Sequence, residues 1–149
     1  MKITICGSMT FYNEMLTLKK DLESVGHEVL IPSVALEVPG EGKYFGQYME
    51  DNDGIDAFPE GHPLWQLKSD AISEHFEKIE KSDSILVANY EKKGVSGYVG
   101  GNTLIEIGLA FYLKKKIFIL NNTSSEISYK QEIMGMQPII LNGDLSKIK

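Results

Sequence analysis

The stretch "SILVANY", residues 84 to 90, is apolar at Ile85, Leu86, Val87 and Ala88, without the in-and-out alternation of a half-exposed strand. A strand that reads this way is covered on both faces, as a central strand is in a parallel sheet flanked by helices. Parallel neighbours need long crossovers, so the surrounding chain must supply helices. It does. Residues 2 to 6 form an apolar run ended by Gly7-Ser8, and from Phe11 the residues Met15, Leu18, Leu22 and Val25 recur at helical spacing. Gly26 ends that helix, and "HEVLIP" is a second short strand closed by Pro32. The unit is βαβ, with the right-handed crossover such units take.

The same alternation continues. Leu64, Leu67, Ala71, Ile72, Phe76 and Ile79 share one helix face before the strand at 84 to 90. After the turn "GVSGYVGGN" comes a helix from about Asn102 to Leu113, then "KIFIL" (116 to 120) as a fourth strand. "PIIL" (138 to 141) is a fifth, placed at an edge because Pro138 has no ladder donor. The expected fold is α/β: a small doubly wound, flavodoxin- or Rossmann-like parallel sheet of about five strands flanked by helices. In such sheets ligands bind outside the carboxyl ends of the strands, where the strand order reverses. Gly7-Ser8-Met9 and the glycine-rich turn would then share one rim. Residues 34 to 62 break the pattern, being rich in Gly, Pro, Asp and Asn with Tyr44, Phe45, Tyr48 and Phe58 interspersed. A loop of that length is usually functional, and its aromatics suggest a lid-like insertion after the second strand, with a short helix near Tyr44 to Glu50 as an alternative.

At 149 residues and 42% apolar content the chain reads as one domain with a sizeable core. A net charge of −6 without long runs of one sign argues against nucleic acid and against an anionic membrane surface, leaving a small molecule as the partner. The lone cysteine, Cys6, excludes a disulfide framework and a thiolate zinc site, reads as core, and suggests a cytoplasmic protein. The apolar run at the start has strand length, too short for a signal peptide or a membrane span. "MEDNDGIDAFPE" lacks the first acidic ligand of an EF-hand, since Met49 stands there, and no metal or cofactor is expected.

Against this background Glu106 stands out, a carboxylate among Leu104, Ile105, Ile107 and Leu109. Such a group must be paired, capped or functional, because a bare buried charge is costly. One reading is structural: Thr103 to Glu106 fits the S/T-x-x-E capping box, with Thr103 as N-cap. The other is functional. Gly94, Gly97, Gly100 and Gly101 let backbone approach a ligand, and the free amides at a helix start, around Gly100, Gly101, Asn102 and Thr103, attract anions or sugar hydroxyls. No Gly-Lys-Ser/Thr follows the turn and no G-x-G-x-x-G follows the first strand, which speaks against nucleoside triphosphates and dinucleotides.

"KITICGSM", "GHEVLIP", "IEKSDSILVANY" and "GGNTLIEIGLAFYLKKKIFIL" together resemble the nucleoside 2-deoxyribosyltransferase superfamily, including the deoxynucleoside 5′-monophosphate N-glycosidases. The resemblance covers most of the chain apart from residues 34 to 62 and the tail after about 121. It implies Glu106 as the nucleophile that attacks the anomeric carbon, Gly7 and Ser8 as a sugar- or phosphate-facing turn with Met9 beside them, and Asp83 as the third-strand aspartate. It also implies a homodimer. The transferases' base-contacting aspartate falls at or near His75, which reads either as a core-edge histidine or as an acid for the departing base, with Asp70 and Glu74 as alternatives for that role. Their first-strand tyrosine aligns with Ile5, and the Arg-Gly-Gly phosphate turn of the monophosphate hydrolases is missing from "GSMTFYNEM". Because the groups that hold an acceptor base are not recognisable, hydrolysis is preferred over transfer. Tyr44 and Trp65 are candidates for stacking on a base, although a loop packing its own aromatics is the commoner case. The expected function is cleavage of the N-glycosidic bond of a nucleoside or nucleoside 5′-monophosphate. The alternative is a non-catalytic nucleotide-binding module in which Glu106 caps its helix or grips a ribose.

Overall fold

The computed structural model describes residues 1–33, 38, 40, 42–43, 48, 51 and 58–149. They form two compact units: Met1–Ile31 with Phe76–Lys149, and Pro32–His75.

The larger unit carries the sheet. Its strands are β1 (Lys2–Cys6), β2 (Glu28–Leu30), β3 (Ser84–Val87), β4 (Lys116–Ile119) and β5 (Ile139–Ile140). They lie in the order β2-β1-β3-β4-β5, and every pairing is parallel. This is the doubly wound order expected from the alternation of elements. The helices are α1 (Tyr12–Ser24), α2 (Leu64–Glu80), α3 (Gly101–Tyr112) and α4 (Lys130–Gly135). Among the described residues no helix is long and apolar enough to cross a membrane.

All four residues of β3 are buried. Side chains alternate across a strand, so its apolar residues divide between two cores. Leu86 joins Ile3, Ile5 and Phe118 under α1, whose Met15, Leu18 and Leu22 close that face. Ile85 and Val87 join Cys6, Ile117 and Ile119 on the other face, under Ile107 and Ala110 of α3 and Ile133 of α4. An unbroken apolar strand is what two covered faces require. The α1 stripe is shorter than its spacing suggests: Val25 lies beyond the helix end and is 71% exposed. β3 also stops before Tyr90, because Asn89 turns its polar side chain to the neighbouring strand end instead of continuing the ladder. β5 is the edge strand, as Pro138 anticipates.

The smaller unit contains the described part of the expected insertion and the first part of α2. Val38, Phe58 and Leu64 form a small core, with Tyr48, Trp65 and Leu67 packed against it. The Trp65 indole donates to the Pro59 carbonyl at 3.1 Å. Tyr44 and most of the alternative helix near Tyr44 to Glu50 lie outside the described residues.

Candidate functional site

β1 has β2 on one side and β3 on the other, so the order reverses beside it, and in such sheets ligands bind outside the carboxyl ends of the strands at that point. β1 ends at Cys6 and runs straight into Gly7-Ser8-Met9. Gly7 permits this close passage: a Cβ there would stand 3.0 Å from the Ala88 carbonyl oxygen and 3.3 Å from the Met15 methyl. Ser8 caps a short 3-10 turn at Met9–Phe11, its Oγ accepting from the Thr10 amide at 3.4 Å. The same oxygen accepts a hydrogen bond from Lys92 Nζ at 3.1 Å, and that ammonium stands 5.3 Å from the centre of the Tyr98 ring. Lys92 thus puts a positive charge beside the turn after β1.

The rim is braced by two asparagines. Asn89, fully buried after β3, donates to the Asn121 carbonyl at 2.8 Å and accepts from the Asn121 amide at 2.8 Å. The Asn121 side chain returns a bond to the Asn89 carbonyl at 3.2 Å. Asn89→Ala would leave a partly buried amide and carbonyl of Asn121 without these partners, and each orphaned group costs about 1–3 kcal/mol. The expected result is a loss of roughly 3 kcal/mol in denaturant unfolding, with little change in the m-value.

Glu106 sits differently from the capping-box expectation. The N-cap of α3 is Gly100, in extended conformation, and the first helical bond runs from the Leu104 amide to the Gly100 carbonyl at 2.9 Å. Thr103 is therefore inside the first turn and buried, and Glu106 lies a turn further in. The helix starts earlier because Gly100 and Gly101 can enter it without a side-chain cap. Glu106 instead faces β1: its carboxylate lies within 4.8 Å of the Cys6 sulfur. Burial pushes the Cys6 thiol well above its ordinary pKa, and the nearby Glu106 carboxylate pushes it further. The carboxylate thus stands beside the last residue of β1, next in sequence to Gly7-Ser8.

Above the glycine turn lies Tyr98, whose ring atoms and hydroxyl would come within 3.2 Å of a Cβ on Gly100. The Tyr129 hydroxyl donates to the Val99 carbonyl and fastens the turn from the α4 side. Burial raises the Tyr129 phenol, and Tyr98 adds to the effect.

The candidate residues divide. Gly7, Ser8 and Met9 follow the carboxyl end of β1, Glu106 stands beside Cys6 at that strand end, and Gly100, Gly101, Asn102 and Thr103 form the N-cap and first turn of α3. Asp83 does not join them. It precedes β3 and accepts from the Lys2 amide at 2.7 Å, at the amino ends of the strands. From there to Asn89 is about 20 Å at the rise of a strand. Asp83 ties the start of β3 to the start of β1, its amide also donating to the Lys2 carbonyl at 2.8 Å. His75 is buried on α2, at the end of the smaller unit, and Trp65 packs on that unit's core. Lys92, Tyr98 and Asn89 were not anticipated. Only the lysine had a visible signal, a cation in "EKKGVSG" after the central strand.

No protein-family model and no curated protein sequence matches the chain. Solved structures do. The 2-deoxyribosyltransferase of Bacillus psychrosaccharolyticus superposes with a TM-score of 0.54 at 16% identity, over 91% of this chain and 82% of that one. A conserved protein from Enterococcus faecalis V583 gives 0.51 at 12% identity, over 90% and 74%. The CMP N-glycosidase BcmB of Clostridium botulinum gives 0.46 at 17% identity, over 94% and 88%, too loose a superposition to argue from. At these identities the first two establish a shared fold, the one that the sequence resemblance implies.

Proposed function

We propose that the protein cleaves the N-glycosidic bond of a nucleoside or nucleoside 5′-monophosphate, with Glu106 as nucleophile and water as the preferred acceptor. The observation that carries this reading is the Glu106 carboxylate beside the end of β1, at the reversal point of a doubly wound sheet. Two facts support it: Glu106 is not engaged in a helix cap, and the fold is shared with a 2-deoxyribosyltransferase.

In the proposed reaction the carboxylate oxygen attacks the anomeric carbon as the bond to the base nitrogen breaks, giving a sugar ester on Glu106. The base departs with a proton from an acid, for which His75 is the candidate, since an imidazole titrates near neutrality. Water then attacks the same carbon, loses its proton to the acid now acting as base, and frees Glu106. Two displacements retain the anomeric configuration. Protein groups and water suffice for the scheme.

Lys92 favours the 5′-monophosphate among the substrates. A cation held by Ser8 at the reversal point suits a phosphate better than a neutral hydroxymethyl group. Lys92→Gln is expected to raise KM for a monophosphate about tenfold while leaving KM for the matching nucleoside unchanged. Initial rates on the pair decide this. A homodimer is proposed on the apolar surface that α3 leaves open at Ile105, Phe111 and Tyr112, exposed by 44%, 53% and 81%.

The test is direct. The protein is incubated with ribo- and deoxyribonucleosides and their 5′-monophosphates, with and without a second base, and free base is followed by chromatography. Release from one class names the substrate. Release from none would leave a binding module, in which Glu106 contacts a ribose.

A further inference from the structure

We infer that Cys6 is a positioning residue for Glu106: its thiol donates a hydrogen bond to the carboxylate and holds it toward the carboxyl end of β1. The inference rests on the nucleophilic reading of Glu106 for its consequence, though not for the hydrogen bond itself.

Cys6 is the only cysteine of the chain and the last residue of β1, with no solvent exposure. Val87, Val99, Ile107 and Ile119 belong to the same core. Packing alone would be served there by valine, which suits a strand better. What the thiol adds is one donor hydrogen. Acceptors near it include a backbone carbonyl and the Glu106 carboxylate. The Thr4 carbonyl lies 4.0 Å from the sulfur, at the limit for such a contact, and the Glu106 carboxylate lies within 4.8 Å. An ionised acceptor makes the stronger bond, so the carboxylate wins when it is charged. The thiol stays protonated, because burial first and the Glu106 charge second hold its pKa well up. It is accordingly neither a nucleophile nor a ready redox centre. It is a donor that remains a donor wherever Glu106 is ionised.

The choice of a thiol has chemical sense. A carboxylate that must attack carbon loses reactivity when a strong donor ties up its oxygens. A sulfur–hydrogen bond is weak and fixes orientation with little loss of nucleophilicity.

Two measurements test this. Cys6→Ala and Cys6→Val remove the donor and are expected to lower kcat for base release about tenfold with KM within about twofold, whereas Cys6→Ser keeps a donor and stays within about threefold of the parent. A filler role predicts the reverse ranking, with valine tolerated and buried serine worst, and that result would overturn the inference. The second measurement needs no turnover. Because the chain has a single cysteine, its S–H stretching band in the infrared is assigned without ambiguity. In Glu106→Gln the band is expected to move to higher wavenumber as the charged acceptor is lost. An unmoved band would refute the hydrogen bond whatever the kinetics show. A shifted band in a protein that releases no base would uphold the positioning of Glu106 and dismiss the proposed reaction instead.

Discussion

Glu106→Gln is expected to lower base release by about a thousandfold or more, with the folded protein intact. The amide has the size and shape of the acid, so Leu104, Ile107 and Leu109 of α3 keep their places against the core. What disappears is the only group in the scheme able to form an ester with the anomeric carbon. Glu106→Ala should be as inactive. A cap would behave in the opposite way: its loss costs about 1 kcal/mol of stability and leaves turnover alone. Comparing initial rates and melting temperatures of the two variants with the parent separates these outcomes.

The second large effect is on folding. Gly97 has a φ of +60°, and a Cβ there would stand 1.9 Å from the Asn122 carbonyl oxygen. Both conditions disfavour any side chain, and backbone cannot step aside as a flexible side chain can. Gly97→Ala should therefore destabilise the protein by about 4 kcal/mol, enough to lower the melting temperature by about 10 °C. The damage falls on the rim, because Gly97 adjoins Tyr98, which covers Gly100 and stands beside Lys92. Gly101→Ala is the control. A Cβ there meets nothing within 4 Å, and alanine favours the first turn of α3, so stability should hold or rise slightly.

Much of this architecture is legible in the sequence. The unalternating apolar residues of β3 already demand two covered faces, and Gly7-Ser8 marks the point where β1 must stop. Local chemistry misleads where two local patterns compete. The box from Thr103 to Glu106 has the spacing of a helix start, but Gly100 and Gly101 admit the helix earlier and carry Glu106 into its second turn. Asp83 reads as a site residue by its place in a motif. The parallel register, which sets Ser84 opposite Ile3, puts it at the amino ends of the strands, beside the Lys2 amide. The pairing of Cys6 with Glu106 and of Lys92 with Ser8 joins residues far apart in the chain. Such pairings depend on how α3 and the turn after β3 fold back on β1, and spacing along one chain does not encode that.

Glu106 as the covalent nucleophile is best tested by quenching the protein with acid during turnover of its substrate, digesting it and weighing the peptides. The account predicts a pentosyl adduct, or its phosphorylated form, on the peptide containing Glu106, labile to alkali and absent from Glu106→Gln. Base release with no adduct at any point of the time course, or an adduct on another residue, would contradict it.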